Sequence, residues 1–190
     1  MGRYLAIGID YELIVSEKEA KKEFTTLEEA KQKILDEYDF QDIYDIKNKT
    51  TNDDNLIVFT LKSEIIEQEL YPFIKDFFAW RYPNDSYYNT QDILAAIEPI
   101  KTYEQMLEYA DKSHGGPLFR SDTYADRKTT LINQQYGCRL YFKRKDILLS
   151  YDGKIIMECY GEIFYRFMQL LKEKFIKYKL AKALDVFITG

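Results

Sequence analysis

From Leu5 to Val15 every second residue is apolar. Leu5, Ile7, Ile9, Tyr11, Leu13 and Val15 alternate with residues that are mostly smaller or polar. A period of two marks a strand with one buried face. A strand of that length needs neighbours on its edges and a further layer over its apolar face. The rest of the chain must supply both.

After Val15 the period changes. Ser16 with Glu19, and Thr26 with Glu29, have the spacing of helix-opening capping boxes. Leu27, Ala30, Ile34, Leu35 and Tyr38 then recur at helical spacing. Residues 42–48 and Leu56–Leu61 read as strands joined by the turn cluster Asn52-Asp53-Asp54-Asn55. Ser63 is expected to cap the next helix, whose stripe is Ile66, Leu70, Phe73, Ile74, Phe77 and Trp80. Pro72 falls inside that stripe and predicts either a kink or a new helix start.

Tyr82–Asn89 reads as a polar loop. Short helices are expected around 91–97 and 103–111, with Pro99 between them and a Thr102/Gln105 box opening the second. Ser113–Arg127 is the longest loop candidate. Strands are expected over 128–134 and 138–143, and a hairpin around Asp152-Gly153. A long helix should run from Glu162 to Lys179, and Val186–Ile188 could add a last strand. Hairpins dominate and no regular βαβ alternation appears. The expected fold class is α+β, a mostly antiparallel sheet backed by helices, in a single domain over 1–190. The first part has the element order of a split βαβ unit, as in ferredoxin-like folds.

Composition bounds the class of function. Two separated cysteines, Cys138 and Cys159, make no disulfide framework and point to a reducing, cytoplasmic setting. The apolar run Tyr4–Ile9 is cut off by Asp10 and is too short for a secretory leader, and no stretch approaches a membrane span. The net charge of −5 is uneven. Residues 1–95 hold 11 Lys/Arg against 20 Asp/Glu, whereas 96–190 hold 16 against 12. Such asymmetry suits a charged binding face or association of unlike surfaces. Seventeen tyrosines and twelve phenylalanines suit binding surfaces too. Biased codon usage is a second source for them, since Lys, Ile and Asn are also abundant.

Motifs for common chemistries are missing from the sequence. It has no phosphate loop, no dinucleotide fingerprint and no nucleophile elbow. Its one histidine excludes H-E-x-x-H zinc chemistry, and no cofactor or metal is expected. Ala6-Ile7-Gly8-Ile9-Asp10 resembles the first strand of actin-like ATPases and RNase H-like nucleases. In those families an aspartate ending the strand coordinates catalytic metal. The glycine-rich turn that the ATPases need is replaced by Tyr11-Glu12-Leu13-Ile14. Asp10 is therefore expected to be exposed on the polar face of a sheet.

Ser113-His114-Gly115-Gly116-Pro117 is the most site-like segment. Gly115 and Gly116 let backbone N–H groups converge on an anion, His114 could exchange a proton, and Arg120 and Arg127 could hold negative charge. Asp122 and Asp126 lie in the same loop. Ser113 or Cys138 as nucleophile would need His114 in reach. The competing reading is a solvated polar turn. Arg139, Lys143, Arg144 and Lys145 beside Tyr141 and Phe142, with Lys172, Lys174, Lys177, Lys179 and Lys182 downstream, could grip nucleic acid. The pI of about 5.1 argues against that. Asp53-Asp54 reads as turn chemistry, and Glu158 with Glu162 as a strand-to-helix junction.

Three functions remain open. The leading one is a non-catalytic protein that acts by binding another protein, as an inhibitor, an immunity-type protein or a regulator, or by self-association. The second is small-molecule or nucleotide binding, with or without catalysis, through the 113–127 loop. The third is nucleic-acid binding through the basic C-terminal face.

Overall fold

The computed structural model describes residues 4–81, 90–112, 140–146 and 168–189. The alternating N-terminal segment forms one long strand, β1 (Tyr4–Ser16), at the centre of a five-stranded sheet. Helices α1 (Glu17–Ala20) and α2 (Leu27–Tyr38) come next, then a 3-10 turn (Phe40–Asp42) and the hairpin β2 (Tyr44–Thr50) and β3 (Asn55–Leu61). β3 pairs antiparallel with both β1 and β2, so β1 and β2 run the same way with β3 between them. That split arrangement is confined to three strands. It does not extend to a ferredoxin-like fold of the whole chain, because the ladder between β1 and β4 (Leu140–Asp146) is parallel. β5 (Leu184–Thr189) returns antiparallel to β1. Three of the four ladders are therefore antiparallel, and the fold is α+β with a mostly antiparallel sheet backed by helices.

Ile7–Ile9 pair with both β4 and β5, and Glu12–Ile14 pair with both β4 and β3. β5 and β3 must then share one edge of β1, end to end, while β4 holds the other. Between the two ladders lie Asp10 and Tyr11. The register to β4 shifts at the same place, between Asp10 and Glu12, as in a β-bulge.

Helices α1, α2 and α6 and the 3-10 turn Lys179–Ala183 all pack against β1. Their cover overturns the expected exposure of Asp10. β1 is a central strand with both faces covered, and Asp10 is only 5% exposed.

The helix after β3 runs continuously as α3 (Ser63–Ile65), a π-helical stretch (Ile66–Leu70) and α4 (Tyr71–Arg81). The widened turn lies immediately before Pro72. Proline has no N–H to give and its ring clashes with the carbonyl four residues back, and a π turn relieves both. Neither a break nor a new start is needed. Lys62, not Ser63, is the N-cap here. The Ser63 hydroxyl instead accepts from Tyr103 N, 3.1 Å away, at the start of the last of two further helices, α5 (Thr90–Ile97) and α6 (Tyr103–Lys112).

The C-terminal helix is described over 168–175 and stops short of Lys179. Tyr178 turns its hydroxyl to Asp76 at 2.8 Å, and the backbone N–H of Leu180 donates to Glu69 Oε2 at 2.7 Å, which draws the chain into the 3-10 turn instead. One core cluster runs from Ile7 through Phe59, Phe73 and Phe77 to Phe175 and Leu184.

Candidate functional site

His114, Gly115, Gly116, Arg120 and Arg127 lie outside the described residues, as do Ser113, Asp122, Asp126, Cys138, Arg139, Cys159, Glu158 and Glu162. Among the described residues two places that bring ionisable groups together bear on function, one buried and one on the surface.

The buried one fills the gap between the β5 and β3 ladders. Tyr44 begins β2 and reaches beneath β3 to β1, where its hydroxyl donates to the carbonyl oxygen of Asp10 at 2.7 Å. The side chain satisfies a strand position that neither ladder serves. Burial pushes the Tyr44 phenol well above its usual value, and the carboxylates of Asp10 and Asp185 push it further. Asp185 stands opposite Gly8 in the register. On the other edge the register sets Lys143 opposite Asp10 and Arg144 opposite Glu12. Part of the basic run on β4 is thus placed beside the acidic positions of β1. Chemically the junction is a neutral phenol whose proton is committed to the backbone, which suits holding strands together. Among the described residues no three or more His, Cys, Asp or Glu side chains are grouped so as to hold a metal ion.

The surface feature is a pair of segments of opposite net charge. Residues 23–42 carry seven acids against two lysines. Glu28, Glu29, Asp36, Glu37 and Asp39 are all exposed along or just after α2. Thr26 caps that helix by accepting from Glu29 N at 3.1 Å, and Glu28 and Glu29 suit its positive end. Tyr38 ends the helix, 43% exposed, stacked on Phe40 with ring centroids 5.2 Å apart.

Residues 168–183 carry five lysines against one glutamate. Leu170 and Ile176 are 47% and 80% exposed among them. The two segments meet at Lys182, whose ammonium reaches Asp39 at 2.7 Å and Asp42 at 3.0 Å, while Lys177 pairs with Asp76 at 2.5 Å. Hydrogen bonding to Asp39 raises the Lys182 pKa, Asp42 adds to it, and partial burial opposes them.

Among the described residues the aromatics gather in two core groups, an edge-packed one of Phe40, Tyr44 and Phe59 and a tilted and stacked one of Phe73, Phe77 and Phe175. Among the described residues Tyr38 is the only aromatic that stands out as an exposed large hydrophobic.

No protein-family model, curated protein or solved structure matches the chain. No helix among the described residues is long and apolar enough to cross a membrane.

Proposed function

We propose that this chain is a non-catalytic protein that acts by binding another protein, in a reducing, cytoplasmic setting. The exposed ring of Tyr38 at the end of α2, next to Asp39, carries the reading. An exposed aromatic ring gives contact area at low entropic cost, and surrounding charge steers encounter and selects the partner. The ring is held by its stack on Phe40, so little of its freedom remains to be lost on binding. The partner's matching surface is basic with an apolar recess.

A photo-crosslinking residue placed at Tyr38 tests this in source cells, with the same residue at exposed Gln91 on α5 as control. A discrete cross-linked protein from position 38, absent from position 91, is the expected result. Equal or no cross-linking at the two positions would overturn the reading.

A further inference from the structure

The geometry points to a further interaction surface, the outer edge of β2, which receives an extended acidic segment of another protein as an added strand. β2 ends the sheet. β3 pairs with one side of it, and among the described residues no strand lies on the other. Two backbone bonds fix which residues turn outward. Lys62 N donates to Ile43 O at 3.0 Å, and Thr51 N donates to Asp54 O at 2.9 Å. Both continue the β2–β3 register, in which bonded pairs alternate. Asp45, Lys47 and Lys49 therefore bond to β3, while Ile46, Asn48 and Thr50 turn their N–H and C=O groups outward. Such a row is a template for another strand.

Proteins blunt open edges with short strands, proline, bulges or charge. β2 is seven residues long, has no proline and keeps an unbroken register with β3, so charge is its guard. Asp45, Lys47 and Lys49 alternate along the strand, so their side chains share one face of the sheet, and all three are exposed. Lys47 and Lys49 form no ion pair among the described residues, whereas Lys21, Lys22 and Lys31 in the same acid-rich half each hold one. Opposite charges across a strand pair stabilise it and like charges destabilise it. The edge thus bars a basic strand and admits one with the reverse order of signs. Running antiparallel, that segment is acid-x-acid-x-base, with its acids opposite Lys49 and Lys47 and its base opposite Asp45. A second copy satisfies fewer charges. Turned about Ile46, it sets Asp45 against Lys47 twice but leaves each Lys49 opposite Ile43.

A peptide of matching pattern, Thr-Glu-Thr-Glu-Val-Lys-Thr, tests the inference on the full-length chain at low salt. At about 1 mM it is expected to slow amide exchange at Ile46, Asn48 and Thr50 at least about twofold. The sign-reversed peptide Thr-Lys-Thr-Lys-Val-Glu-Thr is expected to leave them unchanged. The triple variant Asp45→Lys, Lys47→Glu, Lys49→Glu is expected to exchange the two preferences. A misfolded variant would gain no such preference.

No slowing with the acidic peptide overturns the inference, as does equal slowing with both peptides or a variant whose preference stays native. Slowing that grows with protein concentration in the absence of peptide gives the edge to a second copy and overturns it too. The surface is separate from Tyr38. A cross-link from position 38 with no slowing on β2 sinks this inference alone, and the reverse result sinks only the Tyr38 contact.

Discussion

Tyr44 shows how much one hydroxyl can do in a sheet. β3 and β5 abut on the same edge of β1 and leave Asp10 between them, and the Tyr44 hydroxyl takes up the Asp10 carbonyl. Tyr44→Phe keeps the ring in its edge-on packing with Phe40 and Phe59 and removes only that bond. Losing it is expected to cost about 1–2 kcal/mol, since a buried acceptor loses its donor. The cost should shrink in alkali. The folded phenol titrates well above its ordinary value because it is buried near Asp10 and Asp185. The unfolded phenol ionises near pH 10, so the native chain's stability from this group is complete below about pH 10 and lost as pH rises toward the folded value. The phenylalanine variant has no such loss. Urea midpoints of both proteins at about pH 7 and about pH 11 should show the gap closing at the higher pH. A gap independent of pH would contradict the assignment. The burial of Asp10 itself is not legible in the sequence. Alternation sets Ile9 and Tyr11 on an apolar face and leaves Asp10 on the other, and only the tertiary cover of both faces of β1 buries it.

At the scale of elements, the tip of the β2–β3 hairpin is tied to the β1–α1 junction by one carboxylate. Asp54 accepts from the Ser16 hydroxyl and from Lys18 N, and Asn55 adds a bond of 2.6 Å to Glu17 Oε2. Asp54→Ala should free the tip while leaving the centre of the sheet intact. Amide exchange at Lys49, Thr50 and Asn55 should quicken by about tenfold. Phe59 and Leu61, deeper in β3, should keep their protection. The same tether weakens in acid. The Ser16 hydrogen bond, then those from the backbone, holds the Asp54 carboxyl below its ordinary range. Its contribution is therefore present above about pH 3.9, the unfolded value, and is lost as pH falls through the folded one. Uniform quickening across the sheet would refute a local tether.

Only the local half of this element is legible in the sequence. The Ser16/Glu19 spacing and the Asn52–Asn55 turn cluster are visible there, and so are the Thr26 and Thr102 caps, since all involve residues within five positions of each other. Asp54 reaching Ser16, 38 residues back, and Ser63 receiving Tyr103 N, 40 residues on, leave no mark in local spacing. Pro72 signals a disturbance. Which of several helical responses absorbs it depends on how Ile66 and Leu70 are packed.

Across the whole molecule, the last 22 described residues hold the first half together. Phe175 enters the core against Phe73 at 5.1 Å between centroids, and Tyr178 and Lys177 meet Asp76. Leu180 N takes Glu69, Lys182 bridges Asp39 and Asp42, and β5 completes one edge of β1. Hairpin and capping signals make the α+β class legible, but a parallel β1–β4 ladder spanning over a hundred residues has no local signature. Two adjacent residues in this segment separate core from surface. Phe175 is 2% exposed and Ile176 is 80% exposed. Phe175→Ala opens a cavity among rings and should cost about 3–5 kcal/mol of stability. Ile176→Ala should change the monomer by no more than about 0.5 kcal/mol, as surface substitutions do. Thermal melting of both variants should therefore leave Ile176→Ala close to the native chain and lower Phe175→Ala well below it. If Ile176→Ala destabilised the chain as much as Phe175→Ala, its side chain would belong to the core.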